Sequence, residues 1–163
     1  MFDRDVKLEI TQNGQKIDIR SQEFVKIADK IYCFAIPTPH NRNEIDQISI
    51  EHYFTDTEIK TEKDGKRLFL GNEFYSTGVF KRDEELFYKG AANVHNTIKV
   101  IEHETRSFVT KTDGTGDYSI SKAAFVQCIE NSEEGFCNIS FNEFMKIFNV
   151  IEKIVTDFSK TQE

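Results

Sequence analysis

Apolar and polar positions change their period along this chain, and the changes mark its elements. In residues 6–20, "VKLEITQNGQKIDIR", Val6, Leu8 and Ile10 alternate with polar residues, and Ile17 and Ile19 do so again. Asn13-Gly14 lies between the two runs; it is the strongest short hairpin signal, so a β-hairpin is predicted here. Residues 22–29, "QEFVKIAD", read as a short helix or a turn. Residues 31–36, within "KIYCFAIPTP", are continuously apolar. Such a run reads as a strand buried on both faces, as in parallel sheets covered by helices. Pro37 and Pro39 stop it, since proline cannot donate to a ladder. "HNRNEIDQ" is a polar loop, and "ISIEHYF" is apolar at Ile48, Ile50, Tyr53 and Phe54. The "TDTE" at 55–58 matches a capping box, with Thr55 as cap and Glu58 reaching back.

The C-terminal third changes to a helical period. "SKAAFVQCIEN" starts at Ser121, a good N-cap, and carries Phe125, Val126 and Ile129 on one face. Gly135 breaks it. "SFNEFMKIFNVIEKIVTDF" opens on a second capping box, Ser140 to Glu143. Its apolar positions are Phe141, Phe144, Met145, Phe148, Ile151, Val155 and Phe158. These steps of three and four predict an amphipathic helix of about five turns whose stripe packs on the domain core. Residues 60–112 are hard to assign and compatible with an insertion, although "NTIKVIEHETRSFVT" partly alternates and reads as one or two strands. The stretch contains a turn signal at Asp64-Gly65, and "KTDGTGDYS" follows it as a glycine-rich loop.

Composition narrows the class. The chain has 163 residues, 38% hydrophobic and 30% charged, with 15 Phe and no Trp. That is enough apolar material for a core and suggests one domain over 1–163. A net charge of -7 argues against a broad basic surface that grips nucleic acid by charge alone. It leaves a nuclease open, because acids can hold metal and metal holds phosphate. Cys33, Cys128 and Cys137 have neither zinc nor disulfide-framework spacing and read as reduced thiols of a cytoplasmic protein. His40, His52, His95 and His103 fit no common ligand pattern and read as surface or structural residues. No apolar run approaches the ~18 residues of a membrane span, so no membrane partner is expected.

Two calcium-loop look-alikes fail on inspection. Aligning Glu143 with the bidentate glutamate of an EF-hand puts Phe136 at a ligand position and Cys137 where glycine is needed. The loop at Asp113, Thr115 and Asp117 puts Tyr118 at the glycine position and Ala124 at the glutamate position. A different set suits magnesium. Asp3-x-Asp5 follows an apolar residue, and alternate side chains on a strand share a face, so both carboxylates can converge. Glu51 is an acid set among apolar residues after the next apolar run. Lys122 is the first residue after the Ser121 cap, where amide groups and the helix dipole favour phosphate.

"FDRD", "IYCFAIPTP", "ISIEHYF", "GKRLFLGNEF" and "SKAAFVQCI" resemble the second half of a Toprim-type catalytic domain, in the branch found in OLD-family nucleases and retron-type reverse transcriptase fusions. The resemblance implies an α/β or α+β fold, a partial Toprim-like sheet with a mostly helical C-terminal region. It implies a two-metal phosphodiesterase site using Mg2+ or Mn2+, with Asp3, Asp5 and Glu51 as metal ligands and Lys122 as catalytic lysine. It implies a nucleic-acid partner and a role in phage defence or mobile-element biology, and it is compatible with a homo-oligomer. The family's first glutamate lies upstream of Asp-x-Asp, whereas only Met1 and Phe2 precede Asp3. The expectation is therefore a fragment of a larger Toprim-like domain, with little or no nuclease activity alone. The competing expectation is a non-catalytic protein-binding or regulatory module, with the helix over 141–158 as its contact face.

Overall fold

The computed structural model describes residues 9–12, 15–42, 48–82, 84–90 and 97–160. In chain order the elements are β1 (Glu9–Gln12), β2 (Gln15–Asp18), β3 (Val25–Ala28), β4 (Ile31–Cys33), α1 (Asp56–Ile59), β5 (Phe69–Leu70), β6 (Leu86–Lys89), β7 (Val100–Ile101), β8 (Phe108–Lys111), α2 (Lys122–Glu130) and α3 (Met145–Lys160). The mixture of helices and small antiparallel sheets makes the fold α+β. The chain forms two compact units, one from residues 1–48 with 141–163 and one from 49–140.

In the first unit β1 and β2 pair antiparallel, with Ile10 opposite Ile17 and Gln12 opposite Gln15. Asn13-Gly14, the expected turn, lies outside the described residues. Residues 22–29 depart from the helix or turn expected of them. Val25–Ala28 is a strand paired antiparallel with β4, Val25 against Cys33, with an irregularity between Lys26 and Ala28. The apolar run at 31–36 is not a strand buried on both faces either. β4 ends at Cys33, and Ile31 is 57% exposed. A two-stranded ribbon lacks the second layer that would cover both faces.

Most of the stripe expected to face the core on α3 instead faces outward, with Phe144 and Phe158 half-buried. Phe141, Met145, Phe148, Ile151 and Val155 are all exposed, and Val150 is the buried residue of the helix. The reason is a competing face. Lys146, Val150, Lys153 and Asp157 recur at steps of four and three, and their polar members tie the helix down within the unit. Lys146 Nζ donates to the Thr38 carbonyl at 2.8 Å, Tyr32 donates to Asp157, and Lys153 pairs with Glu23. The Ser140–Glu143 box is replaced as well: Glu143 accepts the His40 amide at 2.8 Å and meets its ring at 3.0 Å.

The second unit holds an aromatic core. β5 pairs with β7 and β6 with β8, both antiparallel. These four strands lie in the stretch that is hard to assign from sequence, β7 and β8 where partial alternation suggests one or two strands. Phe69, Phe74, Tyr88, Ile101 and Val109 are buried together, with Phe80, Leu86 and Tyr118 against them. The Phe74 ring lies 5.8 Å from both Phe69 and Tyr88, the spacing of favourable tilted aromatic pairs. Gly78 makes this packing possible: at φ +84 it has no side chain where a Cβ would come within 2.7 Å of the Phe87 ring. Asp64 and Gly65 both have positive φ between the bridged Lys63 and Lys66, the tight turn their dipeptide predicts. The Thr55 box forms as expected: Glu58 accepts the Thr55 amide at 2.7 Å, and Thr55 Oγ1 accepts the Glu58 amide at 3.2 Å.

A smaller aromatic cluster seats α2. Phe125 packs its ring 5.8 Å from Phe54 and 5.6 Å from Phe136, and all three are buried. Phe125 and Cys128 form the inner face, so Val126, expected on that face, is 47% exposed. Ser121 caps the helix, its Oγ accepting the Ala124 amide at 3.1 Å. That anchored N-terminus fixes where Lys122 begins.

Candidate active site

Glu51 sits in a single 3-10 turn, Ile50–Tyr53, with Glu51, His52 and Tyr53 all buried. His52 pins the turn. Its Nδ1 accepts the Ser49 amide at 2.8 Å, so its Nε2 carries the proton and donates to the Ile98 carbonyl at 2.9 Å. The scattered histidine is thus a structural tie, as its spacing suggested. The turn leaves Glu51 8% exposed, facing the start of α2.

The two candidate residues meet. Lys122 Nζ lies 3.0 Å from Glu51 Oε1. Glu102, directly after β7, completes the group. Its Oε2 accepts the Lys122 backbone amide at 2.8 Å, and its Oε1 lies 3.9 Å from the same Nζ. One ammonium therefore stands between two carboxylates. Glu102 escaped the sequence reading although the signal was available: like Glu51, it is an acid bordering an apolar pair, Val100-Ile101.

The charge state follows from the surroundings. Burial alone would raise the Glu51 carboxyl, but the Ser49 hydroxyl and the Lys122 ammonium outweigh it and hold the group below its ordinary value. Glu51 is therefore ionised at neutral pH. Its Oε2 is buried and finds no hydrogen-bond partner among the described residues. A buried carboxylate oxygen without a donor is costly and marks a place where a further positive group would be welcome.

Of the amides in the first turn of α2, that of Lys122 is held by Glu102 and that of Ala124 by Ser121. A carboxylate already lies where a helix N-terminus favours an anion. Asp3 and Asp5 lie outside the described residues. Among the described residues no three His, Cys, Asp or Glu side chains are grouped as a ready metal centre. No helix among them is long and apolar enough to cross a membrane.

A second polar group lies on the same unit. Asp117 accepts Lys66 Nζ at 3.1 Å and faces His103 Nδ1 at 3.4 Å, and it also bonds Ser119. Ser119 is buried and holds the Val109 amide, so this group braces the loop before α2. No protein-family model matches the chain, and no curated protein or solved structure matches it either.

Proposed function

We propose that this chain carries part of a magnesium-dependent nuclease site of the Toprim type, acting on phosphodiester bonds of nucleic acid. One observation supports the reading. Glu51 and Lys122, chosen from separate motifs, lie 3.0 Å apart at the capped start of a helix. The donor set fits a hard cation: Glu51 is ionised, all-oxygen and carries a buried oxygen in need of a positive partner. A bound magnesium ion supplies Lewis-acid polarisation of a phosphate oxygen. Glu51 would hold the ion with Asp3 and Asp5, and Lys122 would place a point charge where negative charge develops on phosphate. The partial Toprim-like sheet belongs to this proposal.

Manganese titration of the purified chain by calorimetry tests it. Asp5→Ala and Glu51→Gln should each reduce the binding heat, since both acids serve one site. DNA cleavage with magnesium that survives Asp5→Ala would sink the reading.

The exposed row on α3 favours a second reading, a protein-binding module. Exposed Met145, Phe148, Ile151 and Val155, with Phe141 just before the helix, follow steps of three and four, the repeat of a helix that packs against another helix.

A further inference from the structure

The Glu51–Lys122–Glu102 group carries more than an ion pair. We propose that Glu51 and Glu102 form a divalent-cation site that Lys122 fills with its own ammonium, so that the cation binds by displacing the lysine. The idea rests on the nuclease reading only for the choice of magnesium or manganese as the ion.

Four features lead to it. First, two carboxylates from different elements converge on one point, at 3.0 and 3.9 Å from Lys122 Nζ. An ion coordinated by oxygen at about 2.1 Å in place of the ammonium would draw each carboxylate inward by only about 1–2 Å. Second, the Glu51 side chain is only 11% exposed and its Oε2 has no partner among the described residues. The lysine satisfies one oxygen of this carboxylate, whereas a dication can engage both. Third, Glu102 does not depend on the lysine side chain for its position. Its Oε2 is fixed by the Lys122 backbone amide at 2.8 Å, so Oε1 stays in place when the ammonium leaves. Fourth, the lysine can leave. Its side chain is 35% exposed, against 11% for Glu51 and 22% for Glu102, so the ammonium has a path to water that the acids lack.

Charge sets the direction of exchange. Two carboxylates and one ammonium leave a net charge of about -1 in a partly desolvated pocket, where unbalanced charge is costly. A dication cancels the carboxylates and repels the ammonium. The exchange is a displacement with no covalent step: the cation enters, Lys122 keeps its proton, and its head moves to the mouth of the site. Oxygen-only ligation favours magnesium or manganese over zinc, which would seek sulfur or imidazole.

Manganese binding measured by calorimetry on the whole chain is the test. Lys122→Met should raise manganese affinity by about tenfold or more, because the competing like charge is gone. Adding Glu51→Gln or Glu102→Gln to Lys122→Met should abolish that gain. Unchanged or weaker binding by Lys122→Met, or a gain that survives Glu102→Gln, would overturn the proposal. A measurement on the unaltered chain guards against a misfolded variant. Manganese should broaden the amide NMR signals of Glu51, Glu102 and Lys122 together, and broadening that spares them counts against the site. The two readings can fail separately. A gain in Lys122→Met that ignores Asp5→Ala keeps this site and removes the nuclease reading. Binding that needs Asp5 but ignores Glu102 does the reverse.

Discussion

Lys122 gives its ammonium to Glu51 and its backbone amide to Glu102, so one residue binds two acids through different atoms. Removing the side chain therefore breaks the ion pairs to Glu51 and to Glu102 Oε1 but leaves the amide bond to Glu102 Oε2.

Stability should register that asymmetry. Lys122→Met leaves the buried Glu51 carboxylate without its cation, and we expect a loss of about 2 kcal/mol in urea unfolding. This is less than the ~3–5 kcal/mol of a fully buried pair, because the lysine is about one-third open to water. Adding Glu51→Gln removes the stranded charge and should restore most of the loss. Strictly additive losses would mean that the two side chains do not interact in solution.

Acid should weaken the fold through the same carboxylate. Among the acids of the second unit held below their ordinary values are Glu51, Glu58 and Asp117. Burial opposes this in each case. For Glu51 it is outweighed by Ser49 and Lys122, for Glu58 by the amides of Ser140 and Thr55, and for Asp117 by Lys66 and His103. A depressed folded value means that the stabilisation is fully present above the unfolded values, about 3.9–4.3, and is lost as pH falls through the folded ones. Urea midpoints should stay level from about pH 7 to pH 5 and fall steeply below about pH 4. Glu51→Gln should make that fall shallower.

Arg67 and Glu73 offer a test of geometry against charge. The guanidinium makes two bonds to the carboxylate, at 2.8 and 3.1 Å, with both side chains 12% exposed. It also lies 3.8 Å from the centre of the Phe69 ring and donates to the Leu68 carbonyl. Arg67→Lys keeps the charge but loses the fork and the stacked plane. We expect a cost of about 2 kcal/mol by thermal or urea unfolding, where a charge-only role would predict almost none.

The two faces of α3 should answer differently to substitution. Val150→Ala removes buried methyl groups and should cost about 1–3 kcal/mol. Phe148→Ser changes a residue that is 53% exposed and should stay within about 0.5 kcal/mol in dilute solution. If a protein partner covers this face, the same substitution should weaken that complex while leaving the free chain intact.

What could be read from the sequence was local. The Thr55–Glu58 box, the Ser121 cap and the Asp64-Gly65 turn each depend on residues within three positions, and each formed as expected. Long-range choices were harder. On α3 an apolar stripe competes with the row of Lys146, Val150, Lys153 and Asp157, and the row that docks is decided by Glu23, Tyr32 and Thr38, far away in sequence. Residues 60–112 form strands of two to four residues, too short to show a period. Of the candidate site, Glu51 and Lys122 carried a local signal. Glu102 gains its meaning only when β7 brings it to the helix.

The unit built from residues 1–48 and 141–163 also sets an order of assembly. On a ribosome adding about 5–20 residues per second, residues 49–140 emerge as a continuous stretch and can fold while synthesis proceeds. The hairpins of β1–β2 and β3–β4 appear first yet must wait for the C-terminal segment, where Lys146 of α3 ties to Thr38 and Glu143 just before it ties to His40 across more than a hundred residues. Val25 and Ile19, buried in the finished unit, belong to that waiting segment. The interval before α3 arrives is when nascent chains of this protein are most open to chaperone capture or to aggregation.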